Sequence, residues 1–227
     1  MAIKENLERI KQNIEKACLR VKRDPGQVHI VAVCKDQGVT RIGQVYDLGV
    51  RLLGENKVQE AENHMRQLAN SDIVWHFIGK LQKNKINKLL AAFQLIESVD
   101  GVKSLERIHK RVDTPVELFI EINIAEEKNK SGFTIDGLKK ALPYLANLNK
   151  TIITGLMAVP PYFEDTEKVR PYFSRLRELK DEINRMAMAN LKISHLSMGM
   201  SHDYEVAVEE GATIVRIGTA LFGKRNG

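Results

Sequence analysis

Val28-His29-Ile30-Val31-Ala32-Val33-Cys34-Lys35 is the stretch that decides the fold: a run of β-branched residues closing on a lysine. So many branched apolar residues in so short a run mark a strand buried on both faces, as in parallel sheets and α/β barrels. A lysine at the end of such a strand, followed by Asp36-Gln37-Gly38, holds its amine at the rim of a core. Desolvation there favours the neutral amine and makes it a candidate nucleophile. Taken alone, a lysine in that place is read first as one whose amine snorkels to water, so the rest of the chain has to decide.

Outward from this strand, the same alternation repeats. Before it, Ile3, Leu7, Ile10, Ile14, Ala17, Cys18 and Val21 recur at spacings of three and four and predict an amphipathic helix over residues 2–21, ended by Asp24-Pro25-Gly26. After it come a helix over 40–48, a strand over 50–53 running into Gly54-Glu55-Asn56, and a helix over 57–68. A strand over 73–79, a basic helix over 83–92, a strand over 94–99 and a helix over 102–111 follow. Strands over 115–124 and 152–159 flank a helix over 134–147, and Pro171 suits the first turn of the next helix. A strand over 191–198, a short helix over 204–210 with Ser201 as its expected cap, and a strand over 212–218 complete the series.

Eight strands alternating with helices in 227 residues predict a single α/β domain over residues 1–227, a (β/α)8 TIM barrel with an extra N-terminal helix. A doubly wound sheet is the alternative, but neither GxGxxG nor a Walker A loop follows the first strand. The chain is 43% hydrophobic and 28% charged, with no apolar run long enough for a membrane span or signal peptide, and a cytoplasmic protein is expected. Its two cysteines, Cys18 and Cys34, form no CxxC or His-Cys cluster, so free thiols and no metal site are expected. The net charge of +6 is spread along the chain without an aromatic-interleaved basic motif, and nucleic acid is not an expected partner. Lys80, Lys83, Lys85 and Lys88 read as a solvated helix face.

A barrel gathers its active groups at the carboxyl ends of its strands, and the unusual residues fall there. Lys35 follows strand one, Asn56 strand two, His76 ends strand three, Met157 lies near the end of strand six, Ser197 to Ser201 close strand seven, and Arg216, Gly218 and Thr219 end strand eight. The last two groups occupy the place where barrels often bind phosphate through backbone N–H groups and hydroxyls.

At these residues the chain resembles the pyridoxal phosphate (PLP) homeostasis proteins, which look like the barrel domain of alanine racemase standing alone. The resemblance runs nearly end to end. It rests on Val31 to Lys35, Gly54 to Glu60, His76 to Lys85, Ser197 to Asp203 and Val215 to Gly223. It implies that Lys35 forms a Schiff base with PLP, that Ser201, Gly218 and Thr219 hold the phosphate, and that Arg216 approaches the pyridine nitrogen. Asn56 and His76 are then expected to line the pocket, with Met157, Ser197 and Met200 among its contacts. Cys34 departs from the family, which more often has serine there, and Asp36 stands where a small residue or hydroxyl is commoner. Strand alternation turns Cys34 away from Lys35.

Arginine beside the ring nitrogen is a permanent cation that favours the unprotonated nitrogen and a weaker electron sink, suiting racemase-type chemistry or none. A two-base racemase needs a second acid/base opposite the lysine, which in alanine racemase is a tyrosine of another domain. Tyr46, Tyr144, Tyr162, Tyr172 and Tyr204 all fall on helices or loops, none in a segment matching that domain. The expected function is therefore a PLP carrier and buffer in intracellular vitamin B6 homeostasis, with an amino-acid racemase as the alternative. PLP-dependent apoenzymes are the expected recipients, and a monomer the expected state.

Overall fold

A computed structural model describes residues 2–69 and 72–223. Eight parallel strands close into a barrel in chain order: β1 (His29–Val33), β2 (Leu52–Glu55), β3 (Val74–Phe77), β4 (Leu95–Val99), β5 (Val116–Ile122), β6 (Thr151–Ala158), β7 (Leu191–Met200) and β8 (Ile214–Ile217). The seam closes where β1 lies between β2 and β8, with Val31 in register with both Leu52 and Arg216. The helices are α1 (Ile3–Arg20), α2 (Val39–Asp47), α3 (Val58–Leu68), α4 (Ile86–Ala92), α5 (Val102–His109), α6 (Ile135–Leu145), α7 (Arg170–Arg185), α8 (Tyr204–Glu209) and α9 (Thr219–Phe222). None among the described residues is long and apolar enough to cross a membrane.

The period-two pattern of the strands has two destinations. Ala32, Cys34 and Leu53 face outward into the main core beneath the helices, while Val31, Phe119 and Ile214 face inward and form a small cluster with Leu52 and Leu95 that plugs the barrel. Gly155 makes this plug possible, since a Cβ there would lie 2.5 Å from the Phe119 ring. The chain therefore has a solid floor, and only side chains further toward the carboxyl ends can reach a ligand.

α1 braces the end of the barrel where the chain closes. Leu7, Ile10, Ile14, Ala17 and Cys18 are buried, the Asn6 amide donates to the Leu221 carbonyl at 2.9 Å, and the Asn13 amide to the Tyr204 hydroxyl at 3.0 Å. These bonds tie α1 to α9 and α8, the two helices that flank the end of β8.

Several element ends shift by one to three residues, β2 starting at Leu52 where the sequence suggests Val50 and the basic helix opening as a 3-10 turn over Lys83–Lys85, and two differences bear on the site. β7 runs on to Met200 instead of stopping near Met198, and Ser201 does not cap the helix that carries Tyr204. The Ser201 hydroxyl accepts instead from the Gly218 and Ala220 backbone N–H groups, at 3.2 and 3.1 Å, and so caps α9. The aspartate at the head of α8, Asp203, turns back and accepts from the Met200 N–H at 2.6 Å. A serine between two short helices has two N-termini within reach, and sequence spacing favours the wrong one. Pro171 does sit in the first turn of α7, preceded by a short 3-10 turn over Thr166–Val169.

Candidate cofactor site

Lys35 emerges at the carboxyl end of β1 in a turn whose geometry is set by its neighbours. The Cys34 N–H still pairs with the Gly54 carbonyl at 2.9 Å, the Gln37 N–H closes onto the Cys34 carbonyl at 3.0 Å, and Asp36 takes a left-handed conformation with φ 59°. Aspartate is one of the few residues that tolerates that region. Lys35 shares the inward parity of Val31 and Val33, is half-buried, and has no hydrogen-bond or ion-pair partner among the described residues. Cys34 faces the other way and is fully buried, and burial first, then the Glu55 charge, hold its thiol well above the usual range.

Around the mouth, Asn56 follows β2 with its side-chain oxygen buried and unpartnered. The loops after β2 and β3 press together so closely that a Cβ on Gly79 would sit 2.1 Å from the Asn56 carbonyl oxygen, leaving glycine the only residue that fits. On the opposite side, Ser201 and the Gly218 and Ala220 N–H groups form a donor cluster at the surface, beside the exposed Thr219. Gly218 lies next to β1, its Cβ position 3.6 Å from that of Val33. Met200 is partly exposed at the end of β7.

Beneath the mouth lies a polar layer that only partly follows from the sequence. Arg216 is 4% exposed, and its guanidinium donates to the Ser197 carbonyl at 2.7 Å, the Ser197 hydroxyl at 2.6 Å and the Ala158 carbonyl at 2.9 Å. The Ser197 hydroxyl donates in turn to Glu97, whose second oxygen bonds His76 Nδ1, and the nearest Arg216 nitrogen is 4.0 Å from Glu97. Burial pulls the Glu97 carboxyl upward, but the His76 hydrogen bond, the His76 and Arg216 charges and the Ser197 hydroxyl outweigh it, so the carboxyl lies below its ordinary value. Burial lowers Arg216, against the upward pull of Glu97, Asp203 and Glu121. His76, Ser197 and Arg216 thus form one network under the site, and Met157, buried on β6 in register with Ser197, packs beside it.

Sequence reasoning missed Glu97 and Glu121. Each was visible as an acid within an apolar strand, Leu95-Ile96-Glu97-Ser98-Val99 and Leu118-Phe119-Ile120-Glu121-Ile122, a pattern that in a barrel interior requires a partner or a ligand. The arrangement as a whole offers an unengaged amine, a serine hydroxyl proton with two backbone N–H groups held against its oxygen, and a fixed buried cation beneath them.

The family model of the alanine racemase N-terminal domain matches residues 5–226. A pyridoxal phosphate homeostasis protein of Aquifex aeolicus is 43% identical over 224 residues, covering 97% of either chain. Another, of Pseudomonas aeruginosa, is 36% identical over 230 residues, 99% of this chain and 96% of its own. The structure of PipY from Synechococcus elongatus with PLP bound is 33% identical and matches with a TM-score of 0.82 over 97% of this chain and 100% of that one. Alanine racemase from Corynebacterium glutamicum, 12% identical, shares the barrel at a TM-score of 0.74, this chain matching 61% of it. With a family model spanning almost every residue and full-length relatives of one description, the chain belongs to the pyridoxal phosphate homeostasis protein family, within the wider family of alanine racemase N-terminal domains.

Proposed function

We propose that this protein binds PLP through Lys35 and holds it as a carrier and buffer within the cell, in vitamin B6 homeostasis, without strong catalytic turnover. The observation that carries the reading is the unengaged, half-buried Lys35 amine in a mouth that also holds anion donors. The residues fit the cofactor: Asn56 brings an amide with two N–H donors to the mouth, and Ser201, Gly218 and Thr219 stand where a phosphate can accept hydrogen bonds. PLP supplies, when bound, an aldehyde carbon for an amine and a conjugated ring that takes up electrons.

In this reading Lys35 attaches the cofactor, while Ser201 keeps two backbone donors oriented and offers its own hydroxyl proton to the phosphate. Arg216 faces the ring nitrogen and, being a permanent cation, leaves that nitrogen unprotonated. Its partners Ser197, Ala158 and Glu97 hold it in place, and His76 and Met157 complete the floor. Asn56 and Met200 border the ring from either side of the mouth. Three of the tyrosines support a carrier over a racemase, since the hydroxyls of Tyr46, Tyr144 and Tyr204 are engaged by Asp72, Glu106 and Asn13, while the rings of Tyr162 and Tyr172 lie tilted against His202 and stacked on Phe163.

The test is to titrate the purified protein with PLP, reduce with borohydride and map the labelled peptide. A visible absorbance band and a label on Lys35 are expected, and pyridoxal lacking the phosphate should bind far more weakly. A label on Lys80 or Lys83, or equal affinity for the two aldehydes, would sink the assignment. Delivery to PLP-dependent apoenzymes, a monomeric state and a cytoplasmic location belong to the same proposal.

A further inference from the structure

Glu121 is an acid of the barrel interior, just beneath the mouth, to which the PLP reading gives no task. β5 stands opposite β1 in the closed order of eight strands. Glu121 is two residues beyond Phe119, which shares the interior plug with Val31, so it projects inward at the level of Val33, one interior position below Lys35. The side chain is half-buried, and its carboxyl has no hydrogen-bond or ion-pair partner among the described residues. That contrasts with Glu97 on the next strand, which is fully buried and bonded to two side chains. A half-buried carboxyl left unpaired at the floor of a binding site is placed to meet what binds there.

We propose that Glu121 is a further cofactor-contact residue: as a neutral acid it completes the floor of the PLP site opposite Lys35, and as a carboxylate it repels the anionic cofactor. The proposal rests on the PLP reading. With Arg216 beside the ring nitrogen the cofactor presents a phosphate, a ring oxygen and a lone pair, all acceptors or anions, so a carboxylate finds no partner there while a carboxylic acid can donate.

The charges around Glu121 come from four other elements. Burial first, then Asp100 after β4, push its carboxyl up to about 7, while Arg216 on β8, Lys80 after β3 and Lys130 in the loop after β5 pull it down. A carboxyl that ionises at about 7 changes form between pH 6 and 8. Since the ligand prefers the protonated form, binding draws a proton onto Glu121, and affinity falls as pH rises through its titration.

The experiment compares wild type with Glu121→Gln, which keeps the shape and a donor but cannot ionise. Pyridoxine 5′-phosphate, which has the ring and phosphate but no aldehyde, removes the separate pH dependence of the Lys35 attachment. Its dissociation constant is measured by equilibrium dialysis from pH 6 to 8. For one group titrating at about 7, the wild-type constant divided by that of Glu121→Gln should rise from about one at pH 6 to about tenfold at pH 8. In wild type labelled with 13C-glutamate, the Glu121 carboxyl resonance should titrate at higher pH when saturated with ligand, a readout that does not depend on the variant folding. A flat ratio, or a carboxyl titration unmoved by ligand, would overturn the proposal and leave the PLP site standing. Failure of wild type to bind PLP or its alcohol at any pH would remove both.

Discussion

At the scale of single residues, Lys35 and Ser201 carry the sharpest expectations. Lys35 is half-buried and unengaged, so Lys35→Ala should abolish the visible PLP band while leaving the thermal midpoint unchanged, as followed by circular dichroism. Ser201→Ala should weaken PLP binding about tenfold by losing a hydrogen bond to a charged group, and should cost about 1 kcal/mol of stability through the α9 cap. Amide exchange should quicken at Gly218 and Ala220 and stay the same in α8, which separates the observed cap from the one its spacing suggests. Behind the Lys35 turn lies Glu55, fully buried, bonded to His64 at 2.9 Å and with its other oxygen unpartnered. Burial, followed by the Glu60 charge, raises its carboxyl to about 8, with Asp36 adding to this and the Asn56 N–H and Lys57 opposing it. Burial likewise lowers His64, against Glu60 and the Gln37 carbonyl, so the pair is a neutral acid on a neutral imidazole. Unfolding returns Glu55 to an ordinary value near 4.5, so the folded state holds a proton that the unfolded chain loses between about pH 4.5 and 8. Stability from this group is complete below that window and is lost as pH rises through it, at up to about 1.4 kcal/mol per unit. Glu55→Gln should therefore gain on wild type in denaturant titrations as pH goes from 5 to 8, and a constant difference between the two would count against a neutral Glu55.

At the scale of elements, strands and helices were legible because their periods differ, and the strand ends were legible because the barrel collects its polar residues there. Lys35, Asn56, Ser201, Arg216, Gly218 and Thr219 all lie at the mouth or directly beneath it. What the sequence could not convey was which strands a buried group would join. His76 and Ser197 read as pocket-lining residues, yet both are turned onto Glu97, an acid of β4 that spacing alone could not pair with residues 21 and 100 positions away. Cross-barrel contacts of that kind depend on closure and register, which are set by packing. Glu97 thereby links β3, β4, β7 and, through Ser197, β8. Removing its charge strands Arg216 in the core, so Glu97→Gln should destabilise by about 3 kcal/mol and lower the thermal midpoint by roughly 10 °C. Adding Arg216→Met should recover part of that loss, because a buried pair removed together costs less than one partner removed alone, while PLP affinity stays low.

At the scale of the whole molecule, the question is whether a barrel built like that of a racemase turns over amino acids. Racemisation requires a proton to leave one face of Cα and another to arrive on the opposite face, hence two groups on two sides of the ligand. Lys35 is available on the β1 side. The hydroxyls of Tyr46, Tyr144 and Tyr204 are committed to partners elsewhere, and on the strand facing β1 across the barrel the inward-projecting acid is Glu121. Glu121 sits one interior position below Lys35, in the floor with Val33 and not across the mouth from the amine, a level suited to touching the cofactor ring and poorly suited to reaching Cα of an amino acid above it. The carrier reading then gives a definite expectation in heavy water. The PLP-loaded protein incubated with L-alanine should exchange the Cα proton slowly, from the lysine face only, and the amino acid should stay in the L form. Both quantities are measured on one sample, deuterium by mass spectrometry and the D-isomer by chiral chromatography. Sustained D-alanine formation that vanishes in Lys35→Ala would make the protein a racemase, and its survival or loss in Glu121→Gln would then say whether the second proton comes from β5.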